Sequence, residues 1–132
     1  VIYNFRAVPN VVFSEPEVVS VGLSEDEARK NGLEVFVGRF PMQASGRALT
    51  EASPEGFAKV VVEKDSLKVI GIQIVGSNVS ELAGEASLAV ELGLSVRELA
   101  STMHPHPTLS EALMEAAEDS LGESVHVFRR RI

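Results

Sequence analysis

Eight consecutive residues, His104-Pro105-His106-Pro107-Thr108-Leu109-Ser110-Glu111, bring two imidazoles and a carboxylate to the start of a helix. An imidazole takes and returns a proton near neutral pH, and it does so best when a second group fixes its tautomer. Glu111, on the first helical turn, is a candidate for that second group. His106 is the stronger candidate, because a proline on each side restricts its backbone and the extended conformation favoured before Pro107 aims the ring outward. His104 is the weaker one: it lies further from Glu111, and no neighbour in the sequence would hold it. Glu111 has a second role open to it, since Thr108-Leu109-Ser110-Glu111 has capping-box spacing and the carboxylate could satisfy a backbone N–H. The two roles are compatible, one oxygen for the cap and one for the ring.

The rest of the chain offers this base nothing to act upon. Ser110 lacks the Gly-x-Ser-x-Gly elbow of a serine nucleophile, there is no cysteine, and neither Ser45-Gly46 nor Gly71 to Gly76 has phosphate-loop spacing. No nucleotide should bind to this chain alone. A metal site from His104 and His106 with Glu111 or His126 would have a thin ligand set, and none is expected.

The elements that must position these residues are legible from pattern. Val11 to Phe13 and Glu17 to Leu23 read as strands separated by Ser14-Glu15-Pro16. Ser24 and Glu27 predict a capped helix, stapled by Leu23 and Ala28 and stopped at Asn31-Gly32. Leu33 to Phe40 returns to strand composition, and Pro41 to Gly56 reads mostly as a loop long enough to suggest a function or a missing neighbour. Phe57 to Glu63 and Lys68 to Val75 predict a hairpin around Lys64-Asp65-Ser66, with Ile70, Ile72 and Ile74 on its core face. A helix should follow from Asn78, boxed with Glu81, to Gly93, rich in small apolar residues. Ser95 and Glu98 open a short helix ending near His104. Thr108 opens the last one, with Leu109, Ala112, Leu113, Ala116 and Ala117 inward and Glu111, Glu115 and Glu118 opposite. The tail from Ser124 to Ile132 is read as a short strand or frayed. Strands followed by helices predict an α+β fold, an antiparallel sheet with helices gathered on one side, over residues 1–132 as a single domain.

Composition narrows the partners. The 132 residues, 45% hydrophobic and 23% charged, suit a soluble globular domain without a transmembrane span or signal peptide. Val1 in place of methionine suggests a piece of a longer chain. A net charge of −7 argues against nucleic acid and anionic membranes and favours a basic partner. No Lys or Arg lies between Arg97 and Arg129, whereas Glu98, Glu111, Glu115, Glu118, Asp119 and Glu123 do. That stretch should carry an acidic surface, either a docking face or a merely solvated one. The absence of cysteine suits a reducing compartment.

The segment His104 to Glu111 resembles the C-terminal signature of the dihydrolipoamide dehydrogenases, members of the pyridine nucleotide-disulfide reductases. Its doubled histidine before Pro-Thr-Leu-Ser-Glu is closer to the lipoamide enzymes than to glutathione reductases. Val8 to Phe13, Glu15-Pro16-Glu17 and Val21-Gly22-Leu23 look like the start of that family's interface domain, and Lys68 to Gly76 like its hairpin. Ala44-Ser45-Gly46-Arg47-Ala48 departs mildly from the commoner Ala-Asn-Ser-Arg-Ala.

The resemblance implies a C-terminal dimerisation, or interface, domain of a flavoprotein disulfide reductase, with the FAD and NAD domains and the redox disulfide upstream and absent here. It implies a homodimer in which His106 is the catalytic base entering the partner subunit's flavin and disulfide site. Glu111 would be its orienting carboxylate, and Pro107 would follow a cis peptide bond. It further implies no cofactor bound by the fragment, an inactive fragment, and a possible basic partner, the subunit-binding domain of an acyltransferase in a 2-oxo acid dehydrogenase complex. The location would be cytoplasmic, or the mitochondrial matrix in a eukaryote. The alternatives are a purely structural dimerisation and docking module and the same domain from another disulfide reductase.

Overall fold

The computed structural model describes residues 6–50 and 55–122. Among the described residues five antiparallel strands form one sheet: β1 (Asn10–Val12), β2 (Glu17–Gly22), β3 (Val35–Pro41), β4 (Phe57–Glu63) and β5 (Val69–Gly76), in the order β1-β2-β5-β4-β3. The helices described beside it are α1 (Glu25–Lys30), α2 (Gly46–Thr50), α3 (Ala83–Glu91), α4 (Val96–Ser101) and α5 (Glu111–Leu121). This is the α+β arrangement the patterns predict.

Local chemistry accounts for most of these elements. The Ser24/Glu27 and Ser95/Glu98 capping boxes both form, opening α1 and α4. The chain leaves α1 through Gly32 at φ +77, a left-handed position where a Cβ would strain the backbone. Alternation along β4 sends Ala58, Val60 and Val62 into the main core, where they meet Val19, Val21, Ile72 and Ile74 of the sheet and Ala86, Leu99, Leu113 and Ala117 of the helices. Helices α3, α4 and α5 thus cover one face together. On the other face lies the two-turn α1, tied by Glu25 to Lys59 of β4 at 3.0 Å.

Three local expectations give way to tertiary structure. The pairing of β4 with β5 shifts register between Val61 and Val62, so Val61 opposes Gly71 while Val62 opposes Val69. Ile70 is the extra residue of this bulge, and Val69, not Ile70, joins Ile72 and Ile74 in the core. Asn78 adopts φ +60 and makes no side-chain cap, so Val79–Leu82 is a 3-10 turn and the regular helix begins only at Ala83. Within the segment read as loop, Met42–Ala44 forms a 3-10 turn and α2 follows, with Ser45 Oγ accepting from the Ala48 N–H at 3.2 Å. Those turns bury Met42 and Ala48, which pull the segment onto the core without a helical repeat long enough to see in sequence. The predicted tail, Glu123 and His126 lie outside the described residues.

Helix α5 sits unusually close to β3. An ideal Cβ at Gly38 would lie 1.8 Å from the Ala116 carbonyl oxygen, so only glycine allows this approach. One turn further on, Asp119 Oδ2 accepts from the Arg39 backbone N–H at 2.9 Å. A donor on the open edge of the sheet is thereby satisfied by the helix that covers it.

Candidate functional site

The junction between α4 and α5 carries the site. Glu111 is the first residue of α5, and the chain reaches it through His104 to Ser110. The His106–Pro107 peptide bond is cis. His106 Nδ1 lies 2.9 Å from Glu111 Oε1 and 3.2 Å from Oε2. An ionised carboxylate only accepts, so Nδ1 carries the hydrogen and the neutral ring keeps its lone pair on Nε2. Glu111 Oε2 also accepts from the Thr108 backbone N–H at 2.9 Å. Cap and ring contact therefore coexist on one carboxylate. The reciprocal half of the Thr108 box is absent, because Thr108 Oγ1 donates to Pro105 O at 2.7 Å and lies 2.9 Å from Ser110 Oγ. These bonds close the junction on itself.

Exposure separates the members of the pair. The His106 side chain is 75% exposed, whereas that of Glu111 is 18% exposed. The ring thus stands outward on a half-buried support. Phe40, Ala44, Ser45, Gly46 and Glu115 line a cleft of about 40 Å³ beside His106 and Glu111. A space of that size admits a few waters, not a flavin or a nicotinamide. An ideal Cβ on Gly46 would be 3.4 Å from His106 Cε1, so the start of α2 forms a wall along one edge of the ring. A larger apolar groove, about 520 Å³, runs between Leu23, Ile70, Val90, Arg6 and Lys68 and shares no residue with this cleft.

Two expectations about neighbouring residues are corrected here. His104 is not unsupported: its Nε2 lies 2.5 Å from Glu85 Oε1 on α3 and its Nδ1 2.8 Å from Thr102 O. Glu115, expected on the solvent side of α5, is 4% exposed, and Asp119 is 9% exposed. With Glu111 they fall at intervals of four, forming one stripe of the helix that runs inward along β3. The acidic surface is correspondingly reduced. The His104, His106 and Glu111 set does not converge, since each histidine turns to its own carboxylate. Among the described residues no group of three possible ligands could hold a metal ion. Likewise none of the described helices is long and apolar enough to cross a membrane.

Of the lining residues, Phe40 carried no motif in the sequence, and Ala44, Ser45 and Gly46 lie in the stretch that departs mildly from the family pattern, to which the sequence attached no function. The other signal was the length of the segment from Pro41 to Gly56. Glu85 carried none, being an ordinary helical glutamate 19 residues from its partner.

The family model described as "Pyridine nucleotide-disulphide oxidoreductase, dimerisation domain" matches residues 8–117. The chain belongs to this family. Dihydrolipoyl dehydrogenase of Halobacterium salinarum is 50% identical over 127 residues, 96% of this chain and 27% of that protein. The enzyme of that name from Thermus scotoductus is 49% identical over 129 residues, 98% of this chain and 28% of that one. The dimerisation domain thus spans about a quarter of the length of these curated relatives. Among solved structures, LpdA of Mycobacterium tuberculosis superposes with a TM-score of 0.82 at 29% identity, covering 88% of this chain and 25% of that one. The HOCl-induced flavoprotein disulfide reductase RclA of Escherichia coli gives 0.81 at 26% identity, covering 85% and 26%. The matched residues 8–117 contain both the histidine pair and Glu111.

Proposed function

We propose that this domain is the C-terminal interface domain of a dihydrolipoamide dehydrogenase, with His106 its base and Glu111 the carboxylate that orients and charges that base. The domain would form a homodimer and present His106 across the two-fold axis to the partner subunit's flavin and disulfide. The observation that carries this reading is an outward imidazole whose Nδ1 is held by Glu111 while the ring stays 75% exposed. A histidine kept only for packing is normally buried; a base that acts on another subunit must protrude.

The chemistry follows from that posture. A dithiol substrate is mostly protonated at neutral pH, and only the thiolate attacks a disulfide. His106 Nε2 would accept the S–H proton as the new sulfur–sulfur bond forms and the old disulfide opens. Glu111 would stabilise the resulting imidazolium and keep Nε2 aimed at the thiol. The cleft beside His106 is too small for FAD or NAD, which would be held by the other domains of a full-length enzyme. When bound there, the flavin supplies the redox relay between disulfide and nicotinamide. The domain by itself would be inactive. A cytoplasmic or mitochondrial-matrix location accords with the absence of cysteine and with one relative named as a mitochondrial dihydrolipoyl dehydrogenase, that of Dictyostelium discoideum. A basic acyltransferase domain is proposed as a docking partner on the strength of the net charge of −7.

The test is His106→Gln in the full-length parent. Oxidation of dihydrolipoamide should fall by about 100-fold or more, the range for loss of a general acid–base, with the dimer intact. Unchanged turnover would favour the purely structural module, a reading to which the Thr108 cap on Glu111 gives support. A substrate panel of lipoamide, glutathione and trypanothione separates this enzyme from another disulfide reductase of the same build.

A further inference from the structure

The two histidines of the motif are two residues apart and differ sharply in environment. His106 protrudes, whereas the His104 side chain is 5% exposed. Both ring nitrogens of His104 meet acceptors, Thr102 O at 2.8 Å and Glu85 Oε1 at 2.5 Å. A neutral imidazole has a single N–H and Thr102 O can only accept, so Nδ1–H donates to Thr102 O and the Nε2–Oε1 contact takes one further proton, carried by the ring or by the carboxyl. The bond links three elements. Glu85 belongs to the first turn of α3, and Thr102 is the C-cap of α4, with its own N–H and Oγ1 on Glu98 O at 3.0 and 2.6 Å. His104 therefore ties the start of the junction to two helices that are already packed in the core. Beyond it the backbone has little freedom, because Pro105 and Pro107 bracket His106 and Thr108 Oγ1 returns to Pro105 O.

Resting on the reading of His106 as the base, we infer that the His104–Glu85 pair is a positioning device for it. His104 fixes where the junction leaves α4, and Glu111 fixes where it enters α5. The protruding ring between them has one orientation as a result. Neither His104 nor Glu85 touches the substrate. Loss of the tie would leave His106 anchored at one end only, and a base displaced by an ångström or so loses about tenfold or more in rate.

The experiment uses the full-length enzyme and the half-exposed Glu85, whose replacement leaves the core intact. Glu85→Ala should lower kcat for dihydrolipoamide oxidation about tenfold, the cost of misplacing a catalytic group. Its rate of electron transfer from NADH to an artificial acceptor, which needs no thiol deprotonation, should stay at the wild-type level. Glu85→Gln should restore most of the lost kcat, because its amide N–H can donate to Nε2 while Nδ1–H stays on Thr102 O. Combined with His106→Gln, Glu85→Ala should cost nothing further, since a positioning residue has no effect once the group it positions is gone.

Full kcat in Glu85→Ala beside an impaired His106→Gln would overturn this inference alone. So would an equal loss in both assays, or an additive loss in the double variant, either of which marks a general structural role. Full turnover in His106→Gln would overturn the reading of the base and this inference with it.

Discussion

Glu111 carries two obligations with two oxygens, and the pair can be separated by substitution. Oε2 caps Thr108 and Oε1 holds His106 Nδ1. Glu111→Gln in the full-length parent retains an acceptor for one of these but removes the negative charge beside the ring. Its dithiol oxidation should fall about 10- to 100-fold, the usual cost of removing a partner that orients a functional imidazole, with thermal stability close to wild type. Glu111→Ala removes the cap as well and should lower stability by a further ~1 kcal/mol in thermal unfolding. A stability loss without a rate loss in the Gln variant would contradict the assigned role. At this scale the motif was legible because capping and proline stiffness act within a few residues. What the sequence did not disclose was the divergence of its two histidines, one to the surface and one to α3.

The elements are placed by close contacts that the pattern of apolar residues does not register. Gly38 is the clearest case, since a Cβ there would meet the Ala116 carbonyl at 1.8 Å. Gly38→Ala should force α5 off β3 and cost about 1–3 kcal/mol or more in denaturant unfolding, the scale of core overpacking. Because Glu111 opens α5, dithiol oxidation should fall in the same variant. On the reverse face, Glu25 meets Lys59 at 3.0 Å, Arg29 at 3.0 Å and Arg39 at 3.2 Å. The Lys59 hydrogen bond first, and that of Arg29 second, hold the Glu25 carboxyl below its ordinary range. A folded-state pKa below the unfolded one contributes stability above the unfolded value and loses it as pH falls through the folded one. Glu25→Gln should therefore be less stable than wild type at pH 7, by no more than about 1 kcal/mol for pairs this exposed. The difference should shrink as pH drops below 4.5, the ordinary value of the group, and that is checked by unfolding both proteins across pH 3–7.

On the proposed reading the whole molecule presents half of a site. His106 protrudes beside a cleft of about 40 Å³, and the groups it would serve would belong to a partner and to other domains of a full-length enzyme. That arrangement makes a prediction about pairs of subunits. Full-length His106→Gln subunits and subunits lacking the redox disulfide should each form inactive homodimers. Mixed one to one, they should regain about a quarter of wild-type dithiol oxidation, because half the dimers are hybrids with one complete site each in a two-fold assembly. No recovery, with hybrid dimers demonstrated, would mean that His106 serves its own subunit. The net charge is −7, but burial of Glu115 and Asp119 withdraws two carboxylates from the surface a basic partner would meet. Titration with such a partner at rising salt should weaken binding steadily, and salt-independent binding would discount the electrostatic route.

By itself the sequence determined the elements and the motif: capping boxes at Ser24 and Ser95, the hairpin of β4 and β5, the strand-then-helix order, and a stiffened histidine beside a helical glutamate. Each is written in residues a few positions apart, where steric preference and local hydrogen bonds decide. The tertiary structure alone decided the rest. It chose Val69 over Ile70 for the core through a bulge, turned Glu115 and Asp119 inward along β3, folded Met42 to Thr50 into a wall of the site, and gave His104 a partner on α3. The partner of His104 lies 19 positions away in the chain and that of Asp119 lies 80 positions away. Such contacts are settled by which faces must be buried and which polar atoms must be paired once the sheet and helices have packed.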